Sequence, residues 1–326
     1  MNRRDFLKTS ALAAAAAAFP AGLRKAAAQE DQLYYMVTFV SGIDYWKDCY
    51  RGMQDAAEFL GVNVEYTGTP ENDITAEVRV FEEVAGQNPA GILATIINPD
   101  AFIEAINNAI DSGVPVVCFD ADSPMSKRYS FVGTGNYYAG VVAARYLGPL
   151  VGEGKVAISS VAAQLNHVQR RQGFIETLAA EYPGVVTSDD LIIDDQNNST
   201  LAAEKMSALL IAHPDIKGIF ATDALGAVGV GQAVREAGLS GQLPIIGFDY
   251  DEGTLDLIDS GELSATLAQG TWQMGFWGLL MLYAVRNGLI KSVSDWQAAG
   301  ISPLPPNVDT GVVVITAENS QYWRAS

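Results

Sequence analysis

From Leu33 onward, short runs of β-branched and aromatic residues alternate with amphipathic stretches of helix length: residues 34–40 precede 48–60, and residues 62–66 precede 74–86. Further runs of strand character follow at 91–96, 114–119, 156–160, 191–193, 218–221, 243–248 and 311–315. A strand followed by a helix, many times over, predicts an α/β fold in which parallel strands are covered by helices on both faces. The strands are too many for one small sheet, so two sheets are expected, each in its own lobe. In such sheets ligands gather at the loops outside the carboxyl ends of the strands.

One unit of the pattern occurs twice. Gly91-Ile92-Leu93-Ala94-Thr95, a helix-length stretch and Val114-Pro115-Val116-Val117-Cys118-Phe119-Asp120-Ala121-Asp122 correspond to Gly218-Ile219-Phe220-Ala221-Thr222, a second helix and Leu243-Pro244-Ile245-Ile246-Gly247-Phe248-Asp249-Tyr250-Asp251. Both copies end in Phe-Asp-x-Asp where an open α/β sheet exposes its ligand-facing loops. Two similar lobes facing each other would bring Asp120 and Asp249 to opposite walls of one cleft. The plainer alternative is that both are polar loop ends.

The amino terminus breaks the alternation. Asn2-Arg3-Arg4-Asp5-Phe6-Leu7-Lys8 precedes an Ala-rich run over residues 11–19, then Arg24-Lys25 and Ala26-Ala27-Ala28. A charged region, a short apolar core and a small-residue cleavage site in that order read as a twin-arginine signal peptide over residues 1–28. The chain of 326 residues carries a formal charge of −18, and cleavage after Ala28 leaves −22. An acidic exported protein repels phosphate backbones, so nucleic acid is not an expected partner. The two cysteines, Cys49 and Cys118, cannot build a disulfide framework or a four-cysteine zinc site. A single pairing between them and two buried thiols both fit the sequence.

Enzymatic signatures are poor. There is no G-x-S-x-G or H-E-x-x-H; Gly152-Glu153-Gly154-Lys155 lacks P-loop spacing; Gly133-Thr134-Gly135 reaches its next glycine only at Gly140. Asp194-Asp195-Gln196-Asn197-Asn198 and Asp249-Tyr250-Asp251-Glu252-Gly253 offer Lys205 and Ser260 where a calcium loop needs a bidentate Glu. His213, before Pro214, reads as a helix-end cap, and His167 as a member of a polar loop with no metal role. No cofactor is expected, and no catalysis.

What remains is a binding surface. Tyr45 and Trp46, placed between the first strand and the first helix, offer rings that can stack on a sugar's apolar face, while carboxylates and amides satisfy its hydroxyls. Several ordered stretches carry a family likeness: Asp44-Tyr45-Trp46 with Arg51-Gly52, residues 117–124, Arg170-Arg171-Gln172-Gly173-Phe174, His213-Pro214-Asp215 leading to Phe220-Ala221-Thr222-Asp223, Gly247-Phe248-Asp249, Leu267-Ala268-Gln269 and Asp309-Thr310-Gly311. Across essentially the whole mature chain the sequence resembles the ribose/galactose-type sugar-binding proteins of ABC importers, the type I periplasmic binding proteins.

That resemblance implies two similar doubly wound lobes joined by a three-stranded hinge, with residues 29–134 plus 270–305 in the first lobe and 135–269 plus 306–326 in the second. It assigns Tyr45 and Trp46 as the stacking pair, Asp120 as the first-lobe hydroxyl acceptor, Asn197 to a position that often carries an aromatic, Asp223 to one that often carries Asn, Asp249 as the second-lobe acid and Gln269 to the crossover. Two positions where the family's ribose binders carry Arg hold Ala121 and Val168. With those guanidinium groups missing and Asp122 added, a neutral polyol or a differently shaped monosaccharide is expected, with Asn166 supplying further polar contact. The implied function is capture of a small sugar or polyol in the periplasm for delivery to a membrane permease, by a monomeric chain. A receptor for a furanosyl signal and a sugar-acting enzyme using Asp120 and Asp249 are the rival readings. A regulator's effector domain is disfavoured, because no helix-turn-helix precedes the first strand.

Overall fold

The computed structural model describes residues 32–324, except 72, 163, 291–294 and 297; the signal-peptide segment lies outside them. In chain order the first elements are β1 (Leu33–Thr38), α1 (Asp44–Leu60), β2 (Asn63–Gly68), α2 (Ile74–Gly86), β3 (Gly91–Ala94), α3 (Ile103–Asp111), β4 (Val116–Phe119), β5 (Ser130–Gly133) and α4 (Asn136–Val151). Then come β6 (Gly154–Ser160), α5 (Leu165–Glu181), β7 (Val185–Val186), β8 (Ile192–Asp194), α6 (Ser199–Ala212), β9 (Ile216–Ala221), α7 (Ala224–Glu236) and β10 (Ile245–Phe248). The chain closes with α8 (Glu252–Asp259), β11 (Ala265–Gln269), α9 (Thr271–Arg286), β12 (Asn307–Asp309) and β13 (Val312–Ile315).

Contacts divide the chain into two units, one running to Val132 and resuming over Thr271–Val308, the other comprising Gly133–Gly270 and Asp309–Ser326. The first sheet has the order β12-β5-β4-β3-β1-β2; the second has β13-β11-β10-β9-β6-β7, with β8 also on β6. Strands β1 to β5 pair in parallel, and so do β6 to β11, whereas β13 runs antiparallel to β11. Each unit is therefore doubly wound, and its strand order reverses beside its first strand, where α/β sheets open a crevice for ligands.

Within β1, Tyr34 and Met36 pack with α1 and α9 on one face, while Tyr35 and Val37 pack with α2 and α3 on the other, as the period-2 alternation of a strand requires. The same division settles the cysteines. Cys49 belongs to the first cluster and Cys118 to the second, on opposite faces of the sheet, and both are buried free thiols.

Each unit braces its sheet with a helix pair in backbone contact. A Cβ on Gly52 would stand 2.0 Å from the Trp272 carbonyl oxygen, and one on Gly275 1.8 Å from that of Cys49, so α1 and α9 meet through reciprocal glycines. In the second unit a Cβ on Gly140 would stand 2.0 Å from the Arg170 carbonyl oxygen and one on Gly173 1.9 Å from that of Tyr137, so α4 and α5 meet the same way. Only glycine permits such approach.

The structure differs from the pattern reading at short elements. Ser130–Gly133 and Ala265–Gln269 are interior strands that periodicity did not reveal, since a short strand paired on both sides needs no apolar run. Helix α1 starts at Asp44, so Tyr45 and Trp46 occupy its first turn and not the preceding connection. His167 likewise lies in the first turn of α5.

Candidate functional site

The repeated Phe-Asp ends adopt one backbone conformation. Asp120 has φ 59° and Asp249 φ 67°, both left-handed, a region Asp tolerates better than most residues at a cost of about 1 kcal/mol. The Asp120 N–H donates to the Val132 carbonyl (3.2 Å) in β5, and that of Asp249 to the Leu267 carbonyl (2.9 Å) in β11. A neighbouring strand thus holds each aspartate at the carboxyl edge of its sheet.

In the first unit, Tyr45 Oη donates to Asp120 Oδ1 at 2.7 Å, and Thr95 Oγ1 lies 3.5 Å from Oδ2. Trp46 departs from the stacking role expected of it. Its side chain is buried in the core, met nearly edge-on by Phe39, Tyr45 and Phe119 at centroid distances of 5.4, 4.8 and 5.8 Å, and its indole N–H finds no acceptor among the described residues. The helix turn that presents Tyr45 to Asp120 points Trp46 into the sheet. Asp122 is also corrected: Arg128 Nε and Nη2 grip its two carboxylate oxygens, the second at 2.5 Å, while Arg128 Nη1 holds the Pro306 carbonyl at 2.8 Å. Asp122 therefore anchors the segment around Pro306, with both carboxylate oxygens held by Arg128.

The second unit assembles a denser network. Gln269 Oε1 accepts from Thr134 Oγ1 (2.7 Å) and Arg170 Nη2 (3.1 Å), and its Nε2 donates to Asp249 Oδ1 (2.8 Å). Arg170, buried, also donates to Asn136 Oδ1 (2.8 Å) and the Thr222 carbonyl (2.8 Å), with its guanidinium carbon 3.7 Å from the centre of the Phe248 ring. This guanidinium stands apart from the two positions, Ala121 and Val168, where the family's ribose binders carry Arg. Arg170 stands three residues before Gly173, on the helix face that presses against α4, and that spacing was the signal available in the sequence.

Next to it, His167 Nδ1 lies 2.8 Å from Thr222 Oγ1 and 3.9 Å from Asp223 Oδ2. Burial, reinforced by Arg170 and Arg171, pushes the imidazole far below its ordinary range, so it is neutral and its contact with Asp223 is not an ion pair. Asp223 caps α7 by accepting the Gly226 N–H at 2.8 Å through Oδ1; its Oδ2 is buried and finds no hydrogen-bond partner among the described residues. Behind it, Asp195 Oδ2 accepts from Ser159 Oγ at 2.6 Å and Oδ1 from the Asn197 N–H at 2.9 Å. Burial raises both acids, Asp223 the further, to about 7, because Asp195 and then Asp249 add negative charge around it.

The structure thus groups Tyr45 with Asp120 in one unit, and Asp223, Asp249 and Gln269 in the other. Asn166 is half-buried in the first turn of α5, and Asn197, exposed in a left-handed turn before α6, enters the network through its backbone N–H on Asp195. Asn136, Thr134, His167, Arg170, Asp195 and Thr222 complete it, residues whose chemistry in isolation looks ordinary. In both Phe-Asp-x-Asp ends the second aspartate is engaged locally, Asp122 by Arg128 and Asp251 as the cap of α8, where its Oδ2 accepts from Thr254 Oγ1 at 2.7 Å.

Two doubly wound α/β units, each with polar side chains at the carboxyl ends of equivalent strands, define a two-unit ligand-binding protein. The chain belongs to the periplasmic binding protein domain family, whose model matches residues 34–289, and a twin-arginine translocation signal matches residues 1–20. It is an exported periplasmic protein. A sugar-binding protein of a sugar ABC transporter from Bacillus halodurans is 45% identical, with TM-score 0.86 over 90% of this chain and 100% of that one. AraP, an arabinose-binding protein from Geobacillus stearothermophilus, is 42% identical, with TM-score 0.83 and the same coverage. The xylose/arabinose-binding protein XylF of Sulfolobus acidocaldarius is 28% identical over 84% of this chain and 69% of its own length.

Proposed function

We propose that this protein captures a monosaccharide in the periplasm, with aldopentoses such as arabinose the best-supported class, and hands it unchanged to an ABC permease as a monomer. The observation that carries the reading is the pre-formed Arg170–Gln269–Asp249 network at the strand ends of the second unit, with Tyr45 of α1 on Asp120 at the equivalent strand end of the first. Such a network fixes donors and acceptors before a ligand arrives, so less ordering cost falls on binding. Tyr45, Asp120, Arg170, Asp223, Asp249 and Gln269 are the proposed sugar-reading groups, with Asn166 and Asn197 at the margin. The kinship with AraP and XylF supports a pentose. No step in this reading makes or breaks a bond.

Mass spectrometry of small molecules released from the purified protein tests it. A single neutral monosaccharide at about one per chain is the expected result. A charged or non-sugar ligand, or a sugar converted to product during incubation, would overturn it.

A further inference from the structure

Asp223 is a carboxyl group with an uneven environment. Its Oδ1 accepts from the Gly226 N–H, as a carbonyl oxygen would, while its Oδ2 is buried and meets no donor among the described residues. An ionised carboxylate in that position would leave a charged oxygen uncompensated, a cost of several kcal/mol. A second buried acid lies close by, for the space beside Gly226 is bounded by Asp195 Oδ2 and Asp223 Oδ2, 2.8 and 3.1 Å from where a Cβ would sit.

The groups around Asp223 divide unequally. Asp195, on the segment after β8, already receives the Ser159 hydroxyl and the Asn197 N–H and is further steadied by Lys205, against the opposing charge of Asp194. It is the member of the pair better equipped to hold the negative charge. Asp249, at the end of β10, adds another negative charge toward Asp223, opposed by the Gly226 N–H and then by Arg170 of α5. That guanidinium is already shared among Asn136, the Thr222 carbonyl and Gln269. His167, the other α5 group at this position, is neutral and contributes no cation. One proton shared by two adjacent buried acids settles on the one with fewer donors.

Resting on the sugar-binding reading above, we propose that Asp223 serves the site as a protonated acid, its Oδ2–H donating to a ring or hydroxyl oxygen of the sugar, so that sugar affinity weakens as the acid ionises. The group then acts as a specificity determinant for an oxygen that accepts. Burial and the flanking acids raise its ionisation to about pH 7, which places the transition within the range a periplasm meets. Binding the sugar takes up the fraction of a proton that the empty site has lost, and affinity falls tenfold per pH unit above the midpoint.

The test combines calorimetric titration of arabinose between about pH 5.5 and 8.5 with infrared spectra of the ligand-free protein. In the wild type, affinity should be flat below about pH 7 and fall about tenfold per unit above it. Asp223→Asn should bind independently of pH, and so more tightly than the wild type at the alkaline end. Asp195→Asn, which removes the flanking charge, should move the midpoint of the wild-type profile downward, an effect that a purely structural role would not produce. The protonated-carboxyl absorption at about pH 6, to which buried Glu77 also contributes, should lose one carboxyl's share, the Asp223 band, in Asp223→Asn. Absence of that band overturns the proton assignment whatever the ligand. A band together with affinity that is constant, or that rises with pH, overturns the donor role. A band with no arabinose binding at any pH overturns the pentose reading and the donor role with it, while sparing the proton assignment.

Discussion

The two units set the same pieces in the same places and use them differently. In each, the strand order reverses beside the first strand, and an aspartate after a buried Phe is turned into the left-handed region. In the first unit Asp120 has the Tyr45 hydroxyl and a long contact with Thr95. In the second, Asp249 belongs to a continuous set of hydrogen bonds through Gln269, Arg170, Asn136 and Thr134. Strand topology therefore decides where chemistry collects, and the side chains on the helix that follows the first parallel strand, β1 or β6, decide how rigid it is. Tyr45 on α1 reaches one aspartate, whereas His167 and Arg170 on α5 engage three strand ends.

The sharpest way to break this comparison is at Trp46. If its ring belongs to the first unit's core, Trp46→Ala should cost about 3–5 kcal/mol of stability, read by urea denaturation without ligand. An unchanged denaturation midpoint accompanied by weaker sugar binding would return Trp46 to the site. A smaller effect separates the two aspartates of the first Phe-Asp-x-Asp. Asp120→Asn should weaken calorimetric affinity by about 1–3 kcal/mol, since an amide keeps one acceptor oxygen. Asp122→Asn should act on stability through Arg128 instead, and an affinity loss equal to that of Asp120→Asn would contradict its removal from the site.

The smallest effect concerns the acids that hold their protons. Glu77 of α2 is fully buried, and burial pushes its carboxyl up to about 8, only partly offset by the Ile97 backbone. The folded chain keeps a proton there that the unfolded chain releases near its ordinary value, so stability falls as pH rises from about 4.5 to about 8 and levels off above. Glu77→Gln should remove part of that slope and raise stability at pH 8 by about 1–2 kcal/mol, seen as a higher Tm. Sugar affinity should keep its dependence on pH, because that belongs to Asp223. A melting profile with the wild-type slope would show that Glu77 is ionised in the fold.

The lobed α/β architecture and the doubled Phe-Asp ends were legible because long helices and β-branched strands leave periodic marks, and helix α2 falls at the residues its pattern predicts. Trp46 and Asp122 misled for a common reason. A residue type announces what chemistry it can do, but one turn of helix decides whether a ring faces core or solvent, and a distant Arg128 decides whether a carboxylate is free. Arg170 was passed over because the site was read from positions in a line, and its role depends on Gly173 letting α5 lie against α4.

The central claim is that these strand-end groups bind a monosaccharide and leave it intact. Calorimetric titration of arabinose, xylose, ribose and galactose into the mature protein, with the sugars recovered and analysed afterwards, tests it most directly. The account predicts saturable binding of a pentose at one per chain with Kd of about 1 μM or tighter, roughly −8 kcal/mol, and unchanged sugar at the end. No binding by any monosaccharide, or a converted product, would contradict it.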